Sequence, residues 1–129
     1  LPGMRDFMLR AGREAMQTAV DTGNRVRPIL GLGDADVVHP DRYVEQLFDE
    51  VLRHFTLPDT RTTVLQDWMK GRRSEVREIN GLVVDLQRRL GGLAPANAAR
   101  VELAVRIEDG SLEAGPGNLG LLLEAMPVG

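Results

Sequence analysis

The feature that most constrains the fold is the stretch from Thr60 to Asn97, in which two helical patterns follow one another with a break between them. In the second pattern, apolar residues recur at three- and four-residue steps, the spacing that lines one face of an α-helix. These residues are Val76, Ile79, Val83, Leu86 and Leu90. Ser74 is a good N-cap and Gly91-Gly92 a good terminator, so the pattern predicts a helix over 74–90.

The first pattern in this stretch is shorter. Val64, Leu65, Trp68 and Met69 recur at helical spacing, which predicts a short amphipathic helix over 62–70. Gly71 ends it, because glycine commonly occupies the position just past a helix C-terminus.

The remaining sequence is also helical in pattern. Apolar stripes predict helices over about 3–21, 41–55, 97–110 and 118–126, with Asn97 as the N-cap of the third of these. No period-2 apolar segment of useful length is present, so no sheet is expected. We expect one all-α domain over residues 1–129, a bundle of five or six helices with the helix 74–90 near its centre.

Composition excludes several classes of protein. A formal net charge of −3 argues against a dominant nucleic-acid surface, and the absence of cysteine excludes disulfides and thiolate metal sites. No apolar run approaches the length of a membrane span. The segment Gly31 to Asp36 contains a Gly-x-Gly pair, but it lacks the third glycine and the preceding strand of a dinucleotide loop.

Glu75 is the most informative candidate for a functional residue. At about 100° per residue, Glu75, Ile79, Leu82 and Leu86 fall on one line along the predicted helix, so its carboxylate is expected on the inward, apolar side. Two interpretations remain open. Glu75 is either a first-turn acid favoured by the helix dipole or a site carboxylate beside free backbone N–H groups.

A basic cluster precedes this helix. Lys70, Arg72 and Arg73 form either a solvated turn or a surface that attracts an anionic cofactor or substrate, and the sequence favours neither interpretation. No aromatic residues alternate with these cations, which argues against binding of single-stranded nucleic acid.

The central stretch resembles a known family over many positions at fixed spacing. The matching segments are Thr63-Val64-Leu65-Gln66-Asp67, Gly71-Arg72, Ser74-Glu75-Val76, Ile79-Asn80-Gly81, Gly91 and Pro95-Ala96-Asn97. This pattern is similar to the C-terminal domain of ketopantoate reductase (2-dehydropantoate 2-reductase). It is dense over 62–97 and weaker but continuous from about 4 to 119. The resemblance implies a helical substrate domain that follows an NADPH-binding Rossmann domain.

The resemblance also implies roles for individual residues. Glu75 would hydrogen-bond the substrate and order the catalytic centre, and Thr63, at a position usually occupied by serine, would bind the substrate carboxylate. Thr60 stands where the family has a substrate-binding asparagine, which leaves the 2-keto acid substrate undefined. Asn80-Gly81 would allow close helix packing, because glycine lets a neighbouring backbone approach. In one continuous helix Thr63 and Glu75 would be about 18 Å apart, so sharing a pocket requires the chain to fold back near Gly71.

The resemblance further implies parts that this sequence lacks. The family's catalytic lysine lies on a first helix that nothing here matches, and the Rossmann domain is absent. We therefore expect the C-terminal portion of a cytoplasmic NADPH-dependent reductase, inactive by itself and able to form a homodimer through apolar surface left uncovered. The alternative is a helical interaction module without chemistry.

Overall fold

The computed structural model describes residues 2–24, 40–55 and 71–126, with side chains in the second segment described for 42–50. Within these residues the regular structure is entirely helical, which confirms the predicted all-α fold. The five α-helices are α1 (Met4–Asp21), α2 (Pro40–Phe55), α3 (Val76–Arg89), α4 (Pro95–Glu108) and α5 (Leu119–Glu124), and a 3₁₀ turn (Pro116–Asn118) precedes α5. The segment Gly31 to Asp36 and the predicted short helix 62–70 lie outside the described residues.

Helix α4 lies at the centre of the described bundle. It packs against α1, α3 and α5, and its small side chains allow these close approaches. The main core cluster joins α1, α4 and α5, and its buried members are Phe7, Ala11, Ala96, Ala99 and Leu122. The expectation that the helix 74–90 would be central is therefore wrong. Because α4 carries apolar or small residues on most of its sides, it can be covered from several directions.

Helix α3 packs on α4 and α1 through a face different from the predicted one. Val76 and Gln87 are buried, whereas Ile79 and Leu82 remain 60% and 56% exposed. The residues of the predicted apolar line do lie on one side of α3. Most of that side, however, is exposed to solvent. Polar contacts from Asn80 and Gln87 also attach α3 to α4 and α1.

Gln87 connects the end of α3 to the end of α1. Its side-chain amide donates to the Thr18 hydroxyl at 3.0 Å and to the Asp21 carboxylate at 3.1 Å. Hydrogen bonds from Gln17 and Gln87 lower the pKa of Asp21, because they stabilise its charged form. Since Thr18 and Gln87 are both buried, these bonds satisfy groups that water cannot reach.

Helix α2 crosses α1 at Gly12. A Cβ added at Gly12 would lie 2.9 Å from Val44 Cγ1, so the absent side chain permits this approach. At one side of the crossing Arg5 pairs with Asp49 at 2.8 Å and lies over the ring of Phe48. These surface contacts contribute little compared with the packing at the crossing.

Two glycine substitutions should have opposite effects on stability. Gly12→Ala is expected to lower the free energy of unfolding by about 1–3 kcal/mol, because the branched Val44 side chain cannot easily move aside. Gly81→Ala is expected to raise it by about 0.5–1 kcal/mol, because Gly81 lies within α3 and an added Cβ would meet no atom within 4 Å. Chemical denaturation of both variants measures the difference.

The same geometry bears on the expected role of Gly81 in close helix packing, which stays a prediction. Open space beside it means that no neighbouring backbone approaches there within the described chain. A loss of stability in Gly81→Ala would restore the close-packing interpretation.

Candidate functional site

Glu75 lies at the start of α3, in the N-cap position, and its side chain is exposed. Its carbonyl accepts the first helical hydrogen bond, from the N–H of Ile79 at 2.9 Å. The predicted inward orientation of Glu75 is therefore wrong for this chain. The residue instead marks the beginning of an outward apolar face, which we call the α3 outer face and define as Glu75, Ile79, Leu82 and Leu86.

Ser74 was predicted as the N-cap of this helix, and the structure places it one residue before that position. It is buried, and its hydroxyl oxygen accepts only a long contact from the Val76 N–H, at 3.5 Å. Its main partner is Glu108, at the end of α4. The backbone N–H and the hydroxyl of Ser74 each donate to Glu108 Oε1 at 2.8 Å.

Glu108 holds the start of α3 through a second residue as well. Its other carboxylate oxygen lies 3.4 Å from Nε of Arg77, and the Glu108 side chain is only 6% exposed. A carboxylate at the last residue of a helix is disfavoured by the helix dipole, so these tertiary contacts must compensate. The result is a fixed turn from which Glu75 projects.

A second polar network surrounds Asn97, which was predicted as an N-cap and is not one. Helix α4 begins at Pro95, and Asn97 lies inside its first turn at 1% exposure. Its side-chain amide donates to the Ala11 carbonyl at 3.0 Å and to Glu14 at 2.8 Å, and its carbonyl oxygen accepts from Asn80 at 2.8 Å. Asn80 and Asn97, both matched to the family pattern, therefore join α3, α4 and α1.

Glu14 supplies the cap that α4 needs. Its two carboxylate oxygens accept from the N–H groups of Ala96 and Asn97 at 2.8 and 2.9 Å. This residue was missed in the sequence, although a signal was present. Glu14 lies three residues after Ala11 on the buried face of α1, and a charged side chain on such a face needs a buried partner. Glu108 carries the same signal, since it follows Ala104 by four residues on α4.

The other predicted site residues, Thr60 and Thr63, lie outside the described residues, as does Lys70. Their proposed contacts with the substrate stay predictions. In the described part of the chain, no cluster of three or more His, Asp or Glu residues is arranged to hold a metal ion. The described site is thus the exposed Glu75 carboxylate at one end of the α3 outer face. The buried contacts between Ser74 and Glu108 hold this end of α3 in place. A carboxylate so placed can accept a hydrogen bond from a hydroxyl group presented by a partner domain.

Comparison with known protein families identifies the family of this chain. The family described as ketopantoate reductase PanE/ApbA C terminal matches residues 1–108. The chain belongs to this family. No curated protein and no solved structure matches the chain.

The family assignment confirms the resemblance read from the central stretch and places the domain in an oxidoreductase family. It covers α1 to α4 and stops before the 3₁₀ turn and α5. None of the described helices is long and apolar enough to cross a membrane.

Proposed function

We propose that this chain is the substrate domain of a reductase that uses NADPH to reduce ketopantoate, or a related 2-keto acid, to the 2-hydroxy acid. The observation that carries the proposal is the family match over residues 1–108, which span Glu75, the residue for which the resemblance implies contact with the substrate. Its exposure at the start of α3 supports the proposal, because a residue that completes a site between two domains must be accessible from outside its own domain.

The dinucleotide would be bound mainly by a separate Rossmann domain, as the resemblance to this multidomain family implies. NADPH, when bound, supplies a hydride to the keto carbon. In this chain, Glu75 would accept a hydrogen bond from the hydroxyl that forms, and Thr63 would donate one to the substrate carboxylate. Thr60, close to Thr63 in sequence, would contact the rest of the substrate and adjust which 2-keto acid fits.

The α3 outer face supports the two-domain arrangement. Ile79 and Leu82 would contact the cofactor-binding domain and exclude water from the cleft beside Glu75. The same exposed apolar residues are the specific observation that favours the second candidate, a non-catalytic interaction module. Homodimer formation through uncovered apolar surface stays a prediction.

An activity assay tests the proposed function. The full-length protein that carries this domain should oxidise NADPH in the presence of ketopantoate, while the 129-residue chain alone should show no turnover because it contributes only part of the site. A panel of 2-keto acids with different side chains would identify the preferred substrate. Lack of NADPH oxidation by the full-length protein with every 2-keto acid would favour the interaction module, and turnover by the chain alone would contradict the proposed division of the site.

A further inference from the structure

A cleft of about 330 Å³ lies between the beginning of α3 and the end of α4. Ligand-binding clefts in proteins commonly start at about this volume, which is ample for a phosphate group with a small substituent. The described residues that line it are Gly71, Arg72, Arg73, Arg77, Ile107 and Glu108. Three of these six described residues carry guanidinium groups, so the described lining is rich in cationic hydrogen-bond donors.

This cleft is distinct from the α3 outer face. Two helical positions separate Glu75 from Arg77, and at about 100° per residue their side chains leave α3 on nearly opposite sides. Repulsion between the Glu75 carboxylate and an anion in the cleft is therefore weakened by distance and by solvent.

The inner side of the cleft is formed by residues that contact one another. Glu108 accepts two hydrogen bonds from Ser74 and forms an ion pair with Arg77 Nε, so its negative charge is partly compensated. Only one nitrogen of Arg77 takes part in this ion pair, and its side chain is 37% exposed. The two terminal nitrogens of the guanidinium therefore remain as donors toward the cleft.

The other carboxylates nearby are also engaged. Glu78 pairs with Arg73, and Asp109 accepts hydrogen bonds from both the backbone N–H and the hydroxyl of Ser111. Arg72 is exposed and makes no ion pair or hydrogen bond with any residue in the described part of the chain. It is the cation of the cleft whose charge is least compensated.

Gly71 leaves the entrance of the cleft open. It has a φ of +70°, in the left-handed region, and an added Cβ would meet no atom within 4 Å. The turn therefore presents Arg72 and Arg73 beside an opening that no side chain of residue 71 narrows.

We propose that this cleft binds a phosphate group, gripped by the guanidinium groups of Arg72 and Arg77, with Arg73 as a further cation at the rim. Guanidinium matches phosphate through paired N–H···O bonds, and two such groups on one cleft provide charge and geometry together. The proposal does not depend on the reductase reaction. The phosphate would come either from a free phosphorylated metabolite or from the phosphate of a nucleotide.

Calorimetric titration of the chain with inorganic phosphate tests the proposal, at constant ionic strength maintained with sodium chloride. Saturable binding with a Kd of about 1 mM or tighter is expected. Arg72→Gln should weaken binding about tenfold, as expected for loss of a charge-assisted hydrogen bond. Arg89→Gln is the matched control, because it removes an exposed arginine from the far end of α3 and should leave binding unchanged.

A second variant tests the same cleft without disturbing the buried contacts of the fold. Arg77→Gln would remove one cation from beside the buried Glu108 carboxylate, so the double variant of the exposed pair, Arg72→Gln with Arg73→Gln, is preferred. This double variant should abolish measurable phosphate binding while keeping the helical circular dichroism of the parent.

Adenosine 2′-phosphate, titrated beside adenosine, distinguishes the two sources of phosphate. Tighter binding than inorganic phosphate would assign the cleft to a nucleotide, and equal binding would assign it to the phosphate group alone. Absence of saturable binding to both phosphates would overturn the proposal. So would unchanged binding in Arg72→Gln, or equal weakening in Arg89→Gln.

Discussion

Replacement of Glu14 by alanine is expected to lower the free energy of unfolding by about 3 kcal/mol. The Glu14 carboxylate accepts three hydrogen bonds, from the N–H groups of Ala96 and Asn97 and from the Asn97 side chain. Ala96 and Asn97 are 0% and 1% exposed, so water cannot take the place of the lost acceptor. The substitution would also leave the positive end of the α4 dipole without its anion.

Urea denaturation followed by circular dichroism measures this effect. Glu102→Ala is the matched control, because Glu102 is an exposed glutamate on α4 and its removal should change stability by no more than about 0.5 kcal/mol. The loss of stability in Glu14→Gln should lie between those of Glu14→Ala and Glu102→Ala, because the amide oxygen can still accept a hydrogen bond from one N–H group. If Glu14→Ala were as stable as the control, the cap would not contribute to the fold.

The second large effect concerns activity. Under the proposed function, Glu75→Gln in the full-length protein is expected to lower kcat/KM for the 2-keto acid by about 100-fold or more, the usual range for loss of a group that contacts the reacting atoms. The same substitution should leave the unfolding temperature almost unchanged, because Glu75 is exposed and its side chain does not cap the helix in the described structure.

Steady-state kinetics and thermal unfolding on the same preparations separate these two effects. Asp85→Asn is the control, since it removes an exposed carboxylate from the same helix at a position away from the α3 outer face. Equal loss of activity in both variants would point to a general effect of charge. Full activity in Glu75→Gln would remove Glu75 from the catalytic site, and marked destabilisation would instead identify it as a structural residue.

The helices themselves were predictable because the responsible interactions are local. The stripe of Phe7 and Ala11 on α1 is buried as expected, and Leu119 and Leu122 face inward on α5 as expected. Backbone hydrogen bonds over four residues and side-chain repeats over three or four residues can be read without knowledge of any neighbour. The family pattern around Glu75 was readable for the same reason, since it depends on residue types at fixed spacing.

The orientation of α3 could not be predicted in this way. Its apolar line includes Ile79 and Leu82, which are exposed, whereas Gln87 is buried. Periodicity shows that a helix has two unlike faces, but only its neighbours determine which face is covered. Gln87 is buried because Thr18 and Asp21 on α1 provide its hydrogen bonds, and these residues are more than 60 positions away in sequence.

The sequence by itself therefore determined the helical class, the approximate limits of the helices and membership of the ketopantoate reductase C-terminal family. Only the tertiary structure decided that α4 is central, that Glu75 faces outward, that Glu14 caps the start of α4 and that Glu108 holds the start of α3. The physical reason is the range of the interactions. Helix formation depends on groups a few residues apart, whereas a buried carboxylate is stable only where folding brings donors from distant segments to it, as between Glu14 and Asn97, 83 residues apart.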